Sequence, residues 1–250
     1  MKIHDRRSPS FNDRANGAAI DTLVLHYTGM PTAEAAINRL TDPRAEVSSH
    51  YFIDEDGTVI RLVPEEKRAW HAGRASWCGE GDINSRSIGI ELVNPGHDFG
   101  YRPFPPAQID ALLHLTTDIL GRHDIPARRV LGHSDVAPRR KRDPGEWFPW
   151  AQLAAEGVGL FPEDWMDRAP LPQDPAVPAL AMAEIALLYI GYEVDVTGAA
   201  NAHTSAVLAA FQRHFLPDRV TGLLDEATSI RLNAVARLVA LDRVDPWIDF

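Results

Sequence analysis

The first two thirds of the chain contain short apolar runs of the length of β-strands. Residues 21–28, DTLVLHYT, are rich in leucine and β-branched residues and end at a glycine, so they predict a buried strand with His26 near its end. Residues 87–93, SIGIELV, predict a second strand, in which Glu91 interrupts an apolar sequence. Val130-Leu131 predicts a third, shorter strand. Two of the three runs therefore carry a titratable side chain within an apolar segment.

A hairpin and two helices are predicted between these strands. Residues 48–63, SSHYFIDEDGTVIRLV, contain Asp56-Gly57 between two alternating runs, and this dipeptide supplies the positive φ angles that a tight hairpin turn needs. Thr32 is predicted to cap a helix over residues 33–40. A longer amphipathic helix is predicted after Pro105-Pro106, with apolar residues at three- and four-residue spacing: Ile109, Leu112, Leu113, Ile119 and Leu120.

A change in pattern near residue 162 predicts a domain boundary. Prolines recur every few residues up to Pro178 with little apolar periodicity, as is typical of a semi-rigid linker. We therefore predict a first domain over residues 1–162, a proline-rich linker over 163–178 and a helical domain over 179–250. The last part contains a weak repeat, because Val-Thr-Gly and Thr-Ser both recur 24 residues later (220 − 196 and 228 − 204). Each copy places a glycine turn before a capped helix, which predicts a bundle of about three short helices.

Composition narrows the class of protein. Of the 250 residues, 45% are hydrophobic and 24% are charged, as in ordinary soluble globular proteins. The formal net charge of −10 disfavours nucleic acid as the main partner, because phosphate binding needs a basic surface. No apolar run is long enough for a membrane span, and the N-terminal segment lacks the apolar core of a secretory signal. We therefore expect a cytoplasmic protein, with the periplasm or cell envelope as the alternative.

Residues 130–150, VLGHSDVAPRRKRDPGEWFPW, concentrate chemically functional side chains in a turn-rich sequence. Histidine and aspartate, here His133 and Asp143, are ligands of divalent metals, whereas the charged Lys141 beside them would stabilise a developing negative charge. A catalytic zinc site commonly has three protein ligands and a fourth position for water. His26, His133 and Asp143 can supply the three.

Each of these residues also has an ordinary interpretation. His26 can be a core histidine at a strand end, Asp143 can be a turn residue before a proline, and Lys141 can be a solvated charge in the basic run RRKR. Glu91 is either a strand residue that faces solvent or a buried carboxylate. In the second case a metal, a cation or a function must offset its burial, and glutamate is the usual general base beside a metal site.

Five ordered motifs resemble a known family. They are LVLHYTG, SSHYFIDEDGTVIRLV, WHAG, NSRSIGIELVN and GHSDVAPRRKRDPG. In this order they resemble the zinc-dependent N-acetylmuramoyl-L-alanine amidases of the amidase-2 class, relatives of the peptidoglycan recognition proteins, and the match covers about residues 21–162. The later segments GYEVDVTG, AVLAAFQRHF and VTGLLDEAT resemble a small three-helix peptidoglycan-binding domain.

The resemblance implies a fold and a set of site residues. The fold is an α/β fold with a mixed central β-sheet flanked by helices, followed by the small three-helix domain. One zinc ion would be held by His26, His133 and Asp143, with Glu91 as the acid/base and Lys141 as the electrophilic helper. The residues implied at the substrate cleft are His50, Trp70, His71 and Ala72, with Asn94 near the bound peptide. His50 and His71 can alternatively be structural residues.

The reaction implied is hydrolysis of the amide between the lactyl group of N-acetylmuramic or anhydro-muramic acid and L-alanine of the stem peptide, in cell-wall recycling or remodelling. The expected partners are therefore peptidoglycan fragments or the wall. Alternatives are a non-catalytic module that binds muropeptides, a phage-type lytic amidase and an unrelated zinc hydrolase. Catalysis is favoured because every implied ligand, the acid/base and the lysine are present. The preference for the anhydro sugar, the stem-peptide length and the oligomeric state stay open.

Overall fold

The computed structural model describes residues 2–15, 17–163, 166 and 168–243. Within these residues the strands are β1 (Ile3–Asp5), β2 (Phe11–Asp13), β3 (Thr22–Tyr27), β4 (Tyr51–Ile53), β5 (Val59–Arg61), β6 (Lys67–Ala69), β7 (Ser87–Leu92) and β8 (Val130–Gly132). Six of them form a mixed sheet in the order β1-β5-β4-β7-β3-β8, while β2 and β6 form an antiparallel pair. Strands β4, β7, β3 and β8 run parallel to one another.

The helices in the same part of the chain are α1 (Ala33–Thr41), α2 (Ile83–Arg86), α3 (Gly96–Phe99), α4 (Pro106–Arg122), α5 (His133–Val136), α6 (Trp150–Ala155), α7 (Ala179–Ile190), α8 (Ala202–Phe215) and α9 (Glu226–Arg243). The mixed sheet flanked by helices confirms the α/β fold class. No helix among the described residues is both long and apolar enough to cross a membrane.

The predicted turns and caps form as the local sequence requires. The hairpin joins the antiparallel strands β4 and β5, and Gly57 adopts φ +86° at its turn, where its N–H donates to Asp54 O at 3.0 Å. The side chain of Thr32 accepts from Ala35 N at 3.1 Å and so caps α1. Proline at the first position of α4 starts the long amphipathic helix.

One face of the sheet packs on α4. Side chains of β3 and β7 alternate between the two faces, and the residues on the α4 side are Leu23, Leu25, Ile88, Ile90 and Leu92. They share a core with the apolar stripe of α4, which includes Ile109, Leu112 and Ile119. The apolar alternation of SIGIELV therefore predicts the buried face of β7 correctly.

The C-terminal helices cover part of the other face. Val24 of β3 and Leu131 of β8 share one apolar core with Leu187 of α7, Phe211 of α8 and Val235 of α9. The three helices expected in this part of the chain are present, and they pack against the sheet. Residues 164, 165 and 167 of the predicted linker and 244–250 of the predicted helical domain lie outside the described residues.

Candidate active site

Parallel strands bring the site residues to one edge of the sheet. β3 and β7 pair His26 directly with Glu91, and the alternation of side chains directs both away from α4. β8, on the other side of β3, leads straight into α5, whose first residue is His133. Because these strands are parallel, their carboxyl ends meet at the same edge, so residues far apart in sequence become neighbours.

His26, His133 and Asp143 converge on one point. His26 Nδ1 lies 2.9 Å from His133 Nδ1 and 3.0 Å from Asp143 Oδ2, and His133 Nδ1 lies 3.0 Å from the same oxygen. All three side chains are buried. In a tetrahedral zinc site, bond lengths of about 2.0–2.1 Å place the ligand atoms about 3.3 Å apart. The three atoms therefore fit a zinc ion after separating by roughly 0.3 Å.

A hydrogen bond of His133 Nε2 determines which ring nitrogen of this histidine carries the proton. His133 Nε2 lies 3.0 Å from the carbonyl oxygen of Ala72. A carbonyl oxygen only accepts, so this nitrogen carries the proton and Nδ1 presents its lone pair to the centre. The guanidinium of Arg140 donates to the same carbonyl at 3.2 Å and holds it in place.

A chain of hydrogen bonds orients His26 in the same way. His26 Nε2 donates to His71 Nδ1 at 3.0 Å, and His71 Nε2 donates to Ser87 Oγ at 3.2 Å. Ser87 Oγ in turn donates to the carbonyl oxygen of Ile83 at 2.6 Å, so the direction of the whole chain is set by an acceptor at its end. His26 Nδ1 is thereby left with its lone pair facing His133 and Asp143.

Burial and neighbouring charges give these groups the protonation states of metal ligands. Burial, followed by the facing His133, lowers the pKa of His26 to about 4. Burial opposes ionisation of Asp143, but His133 and His26 outweigh it and hold the pKa of Asp143 well below its usual range. At neutral pH the site therefore offers a neutral imidazole and a carboxylate, as metal binding requires.

Glu91 has the opposite perturbation. Burial raises the pKa of Glu91 well above its usual value, Asp143 raises it further, and Lys141 opposes both. Its Oε2 is buried and has no hydrogen-bond partner among the described residues. A carboxyl with a raised pKa beside a cleft is suited to take and return a proton.

The site opens into a cleft of about 330 Å³. Of the residues expected there, the cleft is lined by His26, Trp70, His71, Glu91, His133, Lys141 and Asp143. Residues that the sequence did not indicate also line it, among them Tyr27, Met30, Arg39, Arg140 and Arg142. The lining thus includes several basic side chains although the chain as a whole is acidic, and one of them, Arg142, pairs with the lining residue Asp98 at 2.6 Å.

Three residues expected at the cleft do not line it. His50 is fully buried, where it accepts from Gly89 N at 2.9 Å and donates to Lys67 O at 3.0 Å. Asn94 is fully buried and donates to Arg102 O at 2.7 Å. Ala72 is buried too, and its part in the site is the carbonyl that orients His133. Hydrogen bonds of the His50 and Asn94 side chains and of the Ala72 backbone hold these residues in the interior.

Asn84 supports the site without having been singled out in the sequence. Its Oδ1 accepts from His71 N at 3.1 Å and from Ala72 N at 2.8 Å. Both residues contact a candidate ligand, so Asn84 fixes the segment that orients His26 and His133. The residue lies in the NSRSIGIELVN motif, but no local pattern indicates which backbone groups it binds.

Comparisons with known proteins agree with this geometry. Residues 16–146 match the model of the N-acetylmuramoyl-L-alanine amidase family. The chain is 38% identical over 227 residues to the N-acetylmuramoyl-L-alanine amidase AmiD of Escherichia coli. The aligned region covers 84% of this chain and 79% of AmiD. It is 35% identical over 165 residues to the 1,6-anhydro-N-acetylmuramyl-L-alanine amidase AmpD of Enterobacter cloacae. This alignment covers 59% of this chain and 86% of AmpD.

A solved structure extends the similarity to the whole fold. The complex of E. coli AmiD with anhydro-N-acetylmuramic acid-L-Ala-D-γ-Glu-L-Lys superposes with a TM-score of 0.77 at 34% identity, and covers 92% of this chain and 98% of that one. The similarity thus includes the C-terminal helices as well as the sheet. This chain belongs to the N-acetylmuramoyl-L-alanine amidase family.

Proposed function

We propose that this amidase is zinc-dependent and hydrolyses the bond between the lactyl group of N-acetylmuramic or anhydro-muramic acid and the L-alanine of a stem peptide. The observation that supports the proposal is the convergence of His26 Nδ1, His133 Nδ1 and Asp143 Oδ2 within 3.0 Å of one another in the cleft. Two imidazoles and a carboxylate are a common ligand set of catalytic zinc. His26, His133 and Asp143 would hold the ion.

Lewis-acid polarisation of the scissile carbonyl and of the attacking water is the chemistry that zinc supplies when bound. The role proposed for Glu91 is to take the proton of the attacking water. Its carboxyl has a raised pKa and lines the cleft beside the three ligands. Glu91 then returns that proton to the L-alanine nitrogen, so that the peptide leaves as a neutral amine.

Lys141 is proposed to stabilise the negative charge that develops on the carbonyl oxygen. It lines the cleft and is half-buried, between the exposed Arg140 and Arg142. An ammonium group placed where charge develops acts as an oxyanion-hole donor, and it is more effective where water is partly excluded. Trp70 also lines the cleft, and its ring would offer an aromatic surface to the substrate.

The substrates of the relatives suggest the natural substrate. AmpD is named for a 1,6-anhydro-N-acetylmuramyl-L-alanine substrate, and AmiD has been solved with an anhydro-muropeptide. We propose that soluble anhydro-muropeptides are substrates here, as in cell-wall recycling in the cytoplasm. We retain the division into a catalytic part over residues 1–162, a linker over 163–178 and a helical part over 179–250.

One experiment tests the proposal. The purified full chain is incubated with anhydro-muropeptide and with intact sacculi, with and without a chelator, and released peptides are identified by mass spectrometry. Chelator-sensitive release from anhydro-muropeptide is expected. Release from sacculi alone would instead indicate an envelope enzyme, and the absence of chelator-sensitive release from both would refute the zinc-dependent reaction.

A further inference from the structure

Asp135 is a buried carboxylate beside the candidate metal centre. It lies in α5, two residues after His133, and its side chain is 0% exposed. Its Oδ2 accepts from Gly132 N at 2.7 Å and so caps the first turn of α5. A carboxylate this deeply buried is costly unless hydrogen-bond donors surround it, so its other partners matter to the position of α5.

Those partners come from the C-terminal helices. Tyr192, just after α7, donates from its hydroxyl to Asp135 Oδ1 at 2.6 Å, and His214 of α8 donates from Nδ1 to Asp135 Oδ2 at 2.8 Å. Both side chains are buried. The ring of His214 is stacked between the rings of Trp150 and Phe215, with centroid-to-centroid distances of 3.7 Å and 3.9 Å. Packing therefore limits the movement of this donor.

α5 contains one of the two candidate ligands from residues 130–150 and is hydrogen-bonded to the other. His133 is its first residue, and Ser134 N donates to the carbonyl oxygen of Asp143 at 2.9 Å. The turn before α5 is tightly packed, because a Cβ on Gly132 would lie 2.7 Å from Cδ of Pro144. A displacement of Asp135 would therefore be passed to His133 and to Asp143.

We propose that Tyr192 and His214 are positioning residues of the metal centre, which hold Asp135 and thereby place α5 with its ligand His133 and the hydrogen-bonded Asp143. The C-terminal part of the chain then supports the metal site through these two hydrogen bonds, independently of any ligand that it binds elsewhere. This inference rests on the zinc site proposed above. It assigns no proton transfer to Asp135, Tyr192 or His214, because they act only through hydrogen bonds and packing.

Tyr192→Phe in the full chain removes one hydroxyl and keeps the ring. Loss of a direct hydrogen-bond partner of a metal ligand typically weakens metal affinity about 10- to 100-fold. Tyr192 acts less directly, through Asp135, so the zinc dissociation constant, measured by competition with a chromophoric chelator, should rise by about 10-fold, the lower end of that range. Tyr51→Phe is the matched control, since Tyr51 donates to the buried carboxylate of Glu65 at the same 2.6 Å. Both variants should lower the Tm of the chelator-treated protein, but Tyr51→Phe should leave zinc affinity unchanged.

Two substitutions of His214 separate the hydrogen bond from the ring stack. His214→Asn keeps a nitrogen donor at the position of Nδ1 and removes the ring, whereas His214→Phe keeps the stack and removes the donor. If the inference is right, zinc affinity depends on the hydrogen-bond donor and not on the ring. The zinc affinity of His214→Asn should then stay near that of the wild type, and the zinc affinity of His214→Phe should fall by about 10-fold. The Co²⁺ absorption spectrum should change in His214→Phe for the same reason.

The outcomes are distinguishable. A wild-type chain that binds no zinc would refute the metal site itself. A wild-type chain that binds zinc, together with Tyr192→Phe and His214→Phe variants of unchanged affinity, would overturn only the positioning role. If Tyr192→Phe does not fold, the comparison of the two His214 variants decides, and affinity that follows the ring instead of the donor contradicts the inference.

Discussion

Replacing Glu91 with glutamine should separate its chemical role from its cost to the fold. Glutamine has nearly the same shape but cannot take or return a proton. General acid–base catalysis contributes about 10²- to 10⁴-fold, so the kcat of Glu91→Gln on anhydro-muropeptide should fall by at least about 100-fold. The zinc content should remain that of the wild type, because the three ligand atoms are untouched.

The same substitution should stabilise the metal-free fold at neutral pH. Burial, followed by the charge of Asp143, raises the pKa of Glu91 well above 4.5 in the folded protein. Its contribution to stability is therefore fully present below the unfolded pKa near 4.5 and is lost as the pH rises through the folded pKa. Each unit of difference between the two pKa values corresponds to about 1.4 kcal/mol at a pH above both. Glutamine removes this cost.

Glu65→Gln is a control with the opposite sign. Burial opposes ionisation of Glu65, but Arg122, Tyr51 and His123 outweigh it and lower its pKa to about 2. Its stabilisation is present above the unfolded pKa of 4.5 and is lost as the pH falls through about 2, so Glu65→Gln should destabilise the protein at pH 7.5.

Thermal denaturation of the chelator-treated variants at about pH 4.5 and pH 7.5 measures both effects. At the higher pH, Glu91→Gln should melt above the wild type and Glu65→Gln below it, and the gain of Glu91→Gln should shrink at the lower pH. A Glu91→Gln variant that melts below the wild type at pH 7.5 would contradict the electrostatic reasoning. One that keeps its kcat would contradict the catalytic role.

Three further predictions address the surroundings of the site. A Cβ on Gly89 would lie 2.4 Å from Cγ of His71, so Gly89→Ala should cost about 1–3 kcal/mol in the free energy of unfolding and weaken zinc affinity; Gly121→Ala, where a Cβ has nothing within 4 Å, is the control by denaturation and chelator competition. Lys141→Ala should lower kcat about 100- to 1,000-fold in a folded, zinc-loaded protein, and full activity in a steady-state assay would remove Lys141 from the mechanism. Burial, followed by the charge of Arg14, lowers the pKa of His50 to about 3, so stability should fall as the pH drops below about 6.5, with a slope of up to about 1.4 kcal/mol per pH unit from this group; urea unfolding at several pH values should show a shallower slope in His50→Gln.

Local sequence determined much of the framework. The alternation in residues 87–93 predicts which face of β7 is buried, Asp56-Gly57 predicts the hairpin, and Pro105-Pro106 predicts the start of α4. These features depend on neighbouring residues, so periodicity and turn chemistry are sufficient to predict them. The ordered motifs also contain His26, His133 and Asp143, which the structure brings together as candidate metal ligands.

The roles of the supporting residues depended on tertiary structure. His50 and His71 both lie in motifs, yet His50 is bonded to Gly89 N and Lys67 O in the interior while His71 contacts His26 at the cleft. Sequence pattern does not distinguish the two histidines, because tertiary structure decides the partners of a buried imidazole. Strand pairing places Gly89 N beside His50, and the missing side chain of Gly89 leaves room for the ring of His71. Asn94 is likewise buried by tertiary contacts that its motif does not indicate.

The contacts of Asp135 show this limit most clearly. Tyr192 lies 57 positions and His214 lies 79 positions after Asp135 in the sequence. The apolar pattern of α7 and α8 predicts that these helices bury a face, but it does not predict which surface covers them. Only the packing of the C-terminal helices on the sheet decides that Tyr192 and His214 meet a carboxylate beside the candidate metal ligands. Hydrophobic burial has no direction, whereas a hydrogen bond requires a specific partner at a specific distance.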